Sequence, residues 1–308
     1  MQETKLSNVS SIHNKDGIGS SEGHYVDCDS DPHSSISETD VLRYEWFRRQ
    51  LEELQDQNVI LSSIGSSEVG DKYTQPGLEI LALDLMPLGQ KKGQIFIIAG
   101  HHPDEKMSQF PAIEFGRRLL SSQSPEVLSL RQNYQITIIP VVDIGQTNFR
   151  SKLTHNFINR DYGTFKRSES KAVADAINSR SKGVDDLLVL DLHEHSYSDA
   201  RRSFFVIAGR PDVKEITAIA EAAVKKTAKQ GHTPFPDTDH HATLSHPLSS
   251  VKNGVMNIEV PGNLVEYVSK LGGTAFTVES PTLGKIAERN QIQLTLIDEI
   301  IFQFITRK

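Results

Sequence analysis

The sequence predicts an α/β fold, with helices on both faces of one twisted sheet that is mostly parallel or mixed. Short apolar runs such as 95–99 and 187–190 have the length of buried strands. Between them lie longer segments, such as 213–230, in which apolar residues recur at helical spacing. Strands that alternate with helices in this way build sheets covered on both faces. The chain has 308 residues and no visible internal repeat, which fits one large domain.

The first half of the chain supplies two helices and four strands before residue 140. A helix is predicted over 40–57, where Val41, Tyr44, Phe47, Leu51 and Leu54 step by three or four positions. Strands follow at 59–61, 78–83 and 95–99. The next helix, 110–120, has Pro111 near its first turn, where proline is favoured. The strand 134–139 then ends at Pro140.

The second half continues the alternation. Helices are predicted at 169–179, 213–230 and 283–306, and strands at 187–190, 204–208, 255–260 and 275–278. By contrast, residues 1–38 are rich in Ser, Asp, Gly and His and poor in large apolar residues. We therefore predict a polar, flexible N-terminal segment over 1–38 and one folded domain over 39–308.

Composition argues against several classes of partner. The net charge of −7 comes without a basic face, so we expect no nucleic-acid binding. No apolar stretch is long enough to span a bilayer, and the N-terminus lacks the apolar core of a secretory signal. Cys28 is the only cysteine, which excludes an intrachain disulfide and favours a reducing compartment. We expect a cytoplasmic protein that does not bind membranes.

Metal-ligand residues follow two of the predicted strands. His102 and Glu105 come just after 95–99, and His193 follows 187–190. In open α/β sheets the ligand site lies beyond the carboxyl ends of the strands. Two histidines and one glutamate with an open fourth position are a ligand set of catalytic zinc sites. Asp191 could orient an imidazole from behind. The alternatives are a solvated His–Glu pair and a buried histidine without a metal.

An ordered series of motifs from about residue 60 onward carries a family resemblance. The motifs are Gly100-His101-His102-Pro103-Asp104-Glu105, Val142-Asp143-Ile144-Gly145 with Arg150, Phe157-Ile158-Asn159-Arg160-Asp161-Tyr162, Asp191-Leu192-His193 and Thr277-Val278-Glu279-Ser280-Pro281. In this order they resemble the zinc metallocarboxypeptidases of the carboxypeptidase A clan, most closely the short bacterial members that act on murein peptides. A more distant resemblance is to succinylglutamate desuccinylase and aspartoacylase.

The resemblance implies a role for each matching residue. It implies that His102, Glu105 and His193 hold one zinc ion per chain and that Glu279 is the general base. It also implies that Arg150 polarises the scissile carbonyl. Asn159 and Arg160 would bind a substrate carboxylate, which a guanidinium contacts bidentately. Tyr267 would cover the substrate terminus, or would be a packed helix aromatic.

The expected function is that of a carboxypeptidase-like metallopeptidase, a hydrolase that cleaves the amide next to a free carboxylate in a peptide or acyl-amino-acid substrate. Glu259, in Asn257-Ile258-Glu259-Val260-Pro261, is a rival for the base. Lys152 and Arg167 are basic neighbours of Arg150. Glu194 and His195 replace a Ser-Tyr pair, and we expect His195 at the surface or behind the metal ligands.

Two other functions stay open at this point. One is an N-acyl amino acid deacylase of the desuccinylase and aspartoacylase type. Those relatives usually continue into a C-terminal β domain after the catalytic glutamate, whereas residues 280–308 here predict a helix, which favours the peptidase. The other is a non-catalytic binding module that keeps the scaffold.

Overall fold

The computed structural model describes residues 38–67, 78–102, 105–143, 158–195, 202–209, 213–238, 250–257 and 261–307. All of them belong to the compact unit His33–Lys308. The predicted flexible segment 1–38 lies outside the described residues except for its last position. None of the described helices combines the length and hydropathy needed to cross a membrane.

Nine strands and seven helices make up the described part of the chain. The strands are β1 (Val59–Ser66), β2 (Glu79–Leu85), β3 (Gly93–Ala99), β4 (Tyr134–Ile139), β5 (Asp186–His195), β6 (Phe205–Ala208), β7 (Ser250–Lys252), β8 (Val255–Asn257) and β9 (Thr274–Pro281). The helices are α1 (Glu38–Glu52), α2 (Gln109–Ser121), α3 (Pro125–Asn133), α4 (Ser168–Arg180), α5 (Lys214–Lys229), α6 (Leu264–Lys270) and α7 (Ile286–Thr306). Short 3-10 turns occupy Lys106–Ser108 and Ile158–Arg160.

The strands form one mixed sheet in the order β1-β2-β4-β3-β5-β9-β6-β8-β7. The central strands β4, β3, β5 and β9 run parallel to one another. Antiparallel pairs flank them, with β2 on β4 at one side and β6 on β9 at the other. The predicted α/β class and mixed sheet are thus confirmed. Parallel pairing is confined mainly to the centre, where crossover helices connect neighbouring strands.

Side chains of the central strands alternate between two buried layers. Ile95 and Ile97 of β3 face the layer built with α1, α2, α5 and α7, whereas Phe96 and Ile98 face the layer built with α4 and α6. Every residue of β3 and of β5 is buried. This explains why most of β3 and the segment 187–190 of β5 are continuous apolar runs rather than alternating patterns.

Two strands that carry site residues are longer than predicted. Because β5 extends to His195, Asp191 and His193 lie within the strand and not beyond its end. Glu279 likewise lies inside β9. The apolar-run criterion ended both strands too early, because buried polar residues that pair across β5 and β9 do not look like strand residues in sequence. No range was predicted for α3, α6 or β7, although α3 starts with the favoured combination of Ser124 as N-cap and Pro125 in the first turn.

Candidate metal centre

Three parallel neighbours, β3, β5 and β9, bring the candidate residues to one edge of the sheet. Ala99 at the end of β3 is paired with Leu192, so the following His101 and His102 lie beside the end of β5. On the other side of β5, His193 is paired directly with Glu279 of β9. The strand order therefore unites residues that are separated by up to 178 positions.

The three predicted metal ligands converge around the carboxylate of Glu105. Nδ1 of His102 lies 2.5 Å from Oε1 of Glu105, and Nδ1 of His193 lies 2.8 Å from Oε2. The backbone N–H of Glu194 also donates to Oε2, at 3.0 Å. One ligand atom from each of the three side chains lies within 4.8 Å of the other two. The structure thus brings together the ligand set that the sequence predicted.

The electrostatics of this cluster favour a positive charge between the side chains. Burial acts to raise the pKa of Glu105, but the charges and hydrogen bonds of His102 and His193 outweigh it and hold that pKa well below its usual value. Burial likewise acts to lower the pKa of His193, and Asp191 and Glu105 raise it well above its ordinary value. Carboxylates that favour a proton on His193 also favour a divalent cation at the same place.

The donor set fits zinc better than a hard cation. Two imidazole nitrogens and one carboxylate, mostly buried, are typical ligands of Zn²⁺, whereas Ca²⁺ and Mg²⁺ prefer oxygen ligands throughout. His102 is the most exposed of the three, with 20% of its side chain accessible. This leaves the cluster open on one side, as a site that admits a substrate requires.

Glu279, the predicted base, is paired with the candidate ligand His193 in the sheet. Its Oε2 atom is buried and makes no hydrogen bond with any other described residue. Burial raises the pKa of Glu279 to about 8, with the charge of His193 opposing that rise. A bound divalent cation would lower this pKa toward neutrality. A carboxylate poised in this range is suited to proton transfer at neutral pH.

A second buried group of side chains lies behind His193, and part of it was not predicted. Nδ1 of His101 lies 2.8 Å from Oδ1 of Asp191, and Nε2 of His101 lies 2.6 Å from the hydroxyl oxygen of Tyr162. The sequence pointed to Asp191 but not to His101 or Tyr162. The only available signal was that His101 is a second histidine next to a predicted ligand.

The predicted carboxylate-binding residues lie in the 3-10 turn Ile158–Arg160. Arg160 is exposed, and Asn159 is partly buried with an Oδ1 atom that has no hydrogen-bond partner among the described residues. The next residue, Asp161, accepts hydrogen bonds from Ser170 Oγ at 2.6 Å and from the backbone N–H of Arg167 at 2.7 Å. Asp161 therefore fixes the turn against the start of α4.

Tyr267 packs as an aromatic of α6. Its ring lies 5.9 Å from that of Tyr162 and 5.7 Å from that of Phe165. Its role at the substrate terminus stays a prediction. Arg150 and the rival base Glu259 lie outside the described residues, as does Lys152. The third basic candidate, Arg167, makes a salt bridge with the buried Glu169 at 3.3 Å.

Glu194 and His195, whose roles the sequence left open, are both buried. Glu194 forms an ion pair with Arg289 of α7 and accepts a hydrogen bond from the backbone N–H of Met107 at 3.0 Å. It thereby ties α7 to the turn that follows Glu105. His195 donates from Nε2 to the carbonyl of Ser203 at 2.7 Å. Of the two positions expected for His195, the surface one is wrong, because the residue is buried and its ring packs against Phe205.

Comparison with known proteins points in the same direction. The sequence model of the family described as zinc carboxypeptidase matches residues 44–144, which include His102 and Glu105. The chain resembles the zinc carboxypeptidases in sequence and in fold. The comparison with curated proteins gives no match.

Solved metallocarboxypeptidase structures share the fold. A metallo-carboxypeptidase from Burkholderia cenocepacia is 19% identical, with a TM-score of 0.63 over 86% of this chain and 69% of that one. Bovine thrombin-activatable fibrinolysis inhibitor, in complex with tick carboxypeptidase inhibitor, is 17% identical, with a TM-score of 0.59 over 91% and 100% of the two chains. A Pseudomonas aeruginosa metallo-carboxypeptidase in complex with (2-guanidinoethylmercapto)succinic acid is 18% identical, with a TM-score of 0.58 over 83% and 69%.

These matches confirm the predicted resemblance to the carboxypeptidase A clan. At identities below 20%, the structural likeness establishes the fold and not the substrate. Together with the family match, it supports the prediction that the chain is a hydrolase of the metallocarboxypeptidase type.

Proposed function

We propose that this protein is a zinc-dependent hydrolase that cleaves the amide bond next to a free carboxylate. The observation that carries the proposal is the convergence of His102, Glu105 and His193, with Glu279 directly opposite His193 in the sheet. Zinc bound there would acidify a water molecule and polarise a carbonyl oxygen. A non-catalytic module would have no need of a half-buried carboxylate with a buried, unpartnered oxygen atom beside such a cluster.

Glu279 and Arg150 have different roles in the proposed reaction. Glu279 takes a proton from the attacking water at its carboxylate and passes it to the nitrogen of the departing amine. The carbonyl carbon thus gains the water oxygen, and the C–N bond breaks with no covalent link to the chain. Arg150 supplies positive charge to the carbonyl oxygen as negative charge develops there.

Substrate selection is assigned to the turn Ile158–Arg160. A guanidinium and a carboxamide offer convergent N–H donors to a carboxylate, and a paired guanidinium–carboxylate contact adds both energy and orientation. The exposed position of Arg160 is consistent with a site that a carboxylate ligand completes. The partner is then a peptide or acyl-amino acid with a free carboxyl end.

The experiment compares matched substrates that differ only at that end. A panel of N-acylated dipeptides and N-acyl amino acids is offered as free acids and as C-terminal amides to the wild type, to Arg160→Ala and to Arg48→Ala. Arg48 is a control because it is a partly exposed arginine in α1 whose partners are Glu52 and Glu79. Wild type should prefer the free acids, and Arg160→Ala should lose that preference while Arg48→Ala keeps it.

Equal rates on acids and amides, slowed alike by Arg160→Ala, would contradict the proposal and favour an endo-acting hydrolase. Cleavage of N-acyl amino acids with no cleavage of dipeptides would instead favour the deacylase. If the zinc-loaded protein hydrolyses no substrate of the panel, the non-catalytic binding module is the function that remains.

A further inference from the structure

Behind the metal ligand His193, three buried side chains form a continuous line of polar contacts. The hydroxyl of Tyr162 contacts Nε2 of His101 at 2.6 Å, and Nδ1 of His101 contacts Oδ1 of Asp191 at 2.8 Å. Oδ2 of Asp191 lies 2.9 Å from Nε2 of His193, although the ring N–H is not directed straight at it. All four side chains are almost fully buried.

His101, Asp191 and His193 have the residue types of a second metal site, but their contacts argue against one. Both ring nitrogens of His101 and both oxygens of Asp191 already have a partner. The separations of 2.6–2.9 Å are those of hydrogen bonds and ion pairs made directly between the side chains. The group is therefore a relay of contacts that ends on His193.

The chemistry of the groups sets the direction of the relay. A carboxylate only accepts hydrogen bonds, so Nδ1 of His101 must carry the hydrogen that it shares with Asp191. Nε2 of a neutral His101 then accepts from the Tyr162 hydroxyl. On the other side, Asp191 favours a hydrogen on Nε2 of His193. By the same rule Nδ1 of His193 donates to Glu105, so Nδ1 is the atom at which a metal would replace a hydrogen while Nε2 keeps its own.

The arrangement of the imidazole rings of His101 and His193 also indicates that Asp191 orients His193. The imidazoles of His101 and His193 lie parallel, with 5° between their planes and 5.8 Å between their centroids. Both flank Asp191, one at each carboxylate oxygen. A carboxylate held from one side by His101 cannot turn away from His193 without losing its buried hydrogen bond with His101.

We propose that Tyr162, His101 and Asp191 are positioning residues that fix the tautomer and ring orientation of His193 for metal binding. The proposal rests on the proposed metal site of His102, Glu105 and His193. The polar contacts connect the metal ligand His193 to Tyr162, whose ring contacts that of Tyr267.

The test measures zinc affinity, by competition with a chelator, and not turnover. Tyr162→Phe removes one hydroxyl group and keeps the ring. Tyr134→Phe is the matched control, because Tyr134 is also buried and its hydroxyl also bonds a side chain, here Asp186 at the far end of β5. We expect Tyr162→Phe to weaken zinc binding about 10-fold and Asp191→Asn about 10–100-fold. Tyr134→Phe should change it less than about twofold.

A double variant separates the relay from simple packing. If Tyr162 acts through Asp191, then Tyr162→Phe should add nothing to Asp191→Asn, because residues in one network are not additive. If Asp191→Asn does not fold, His101→Phe replaces it in the same cycle. The visible absorption of the cobalt-substituted protein should change with Tyr162→Phe and not with Tyr134→Phe.

Three outcomes would overturn the proposal. Zinc affinity that is equal in Tyr162→Phe and Tyr134→Phe, or effects that add in the double variant, would reduce Tyr162 to packing while leaving the metal site intact. A second equivalent of zinc, lost in His101→Phe, would make the cluster a metal site. A wild type that binds no zinc would remove the proposed function and the relay together.

Discussion

Gly262 offers a direct test of how the carboxylate-binding turn is positioned. Its φ of +79° is in the left-handed region, and an added Cβ would lie 2.7 Å from the carbonyl oxygen of Arg160. Its own carbonyl accepts a hydrogen bond from the backbone N–H of Tyr162 at 2.8 Å. The loop before α6 is thus packed against the backbone of the turn that carries Arg160.

The cost of Gly262→Ala can be worked out from these two features. The left-handed backbone costs a residue with a Cβ about 1–2 kcal/mol. The contact with a backbone oxygen, which cannot rotate away, adds about 1–3 kcal/mol of overpacking. The free energy of unfolding should therefore fall by about 2–5 kcal/mol.

Gly272→Ala measures the cost of the left-handed backbone alone. Gly272 has a φ of +82° but nothing within 4 Å of an added Cβ. It should therefore lose only about 1–2 kcal/mol. Both variants stiffen the unfolded chain alike, so that effect cancels in the comparison.

Urea unfolding of the two variants measures the difference, and Michaelis–Menten kinetics measure its effect on function. Gly262→Ala should raise KM for free-acid substrates relative to their C-terminal amides, because the turn with Arg160 must shift. Gly272→Ala should not. Equal losses of stability in the two variants would refute the contact, and an unchanged KM in a destabilised Gly262→Ala would refute its link to substrate binding.

Three further substitutions test the site and its supports. Glu279→Gln should lower kcat about 10²–10⁴-fold with zinc content unchanged, and near-normal turnover beside an inactive Glu259→Gln would move the base to Glu259. Asp161→Asn should lower the free energy of unfolding by about 1–3 kcal/mol at pH 7. Hydrogen bonds to Asp161 outweigh its burial and lower its pKa in the folded state. The stability difference between wild type and Asp161→Asn should therefore be complete above the unfolded pKa of about 3.9 and shrink as the pH falls below it. A difference that is the same in urea unfolding at pH 7 and pH 3 would contradict this role of the carboxylate. Arg289→Leu should cost about 3–5 kcal/mol because it leaves Glu194 buried and unpaired, and Glu194→Gln in the same chain should recover part of this loss, whereas additive losses would argue against the pair.

The central strands and the candidate metal ligands could be predicted from the sequence because the residues that form each pattern lie close together in the chain. His102 and Glu105 are three residues apart after an apolar run, and His193 follows another such run. Burial on both faces of the sheet makes β3 uniformly apolar, which is what the pattern detects.

The missed features depend on contacts between distant parts of the chain. Tyr162 lies 61 residues from His101, and Arg289 lies 95 from Glu194. Neither pair has a spacing that a sequence pattern could reveal. Buried polar residues within β5 also ended the predicted strand too early, since their partners come from other strands and from α7. The sequence thus predicted the candidate ligands that come together and Asp191 behind them, but not the contacts of His101, Tyr162 and Arg289.

The most direct test of the central claim is a zinc titration of hydrolysis. Metal-free protein is mixed with increasing zinc, and the initial rate is followed on the best free-acid dipeptide of the panel. We predict no hydrolysis without zinc, a linear rise up to one zinc per chain, and no further rise beyond it. Hydrolysis that is independent of zinc, or none at any zinc level, would contradict the account.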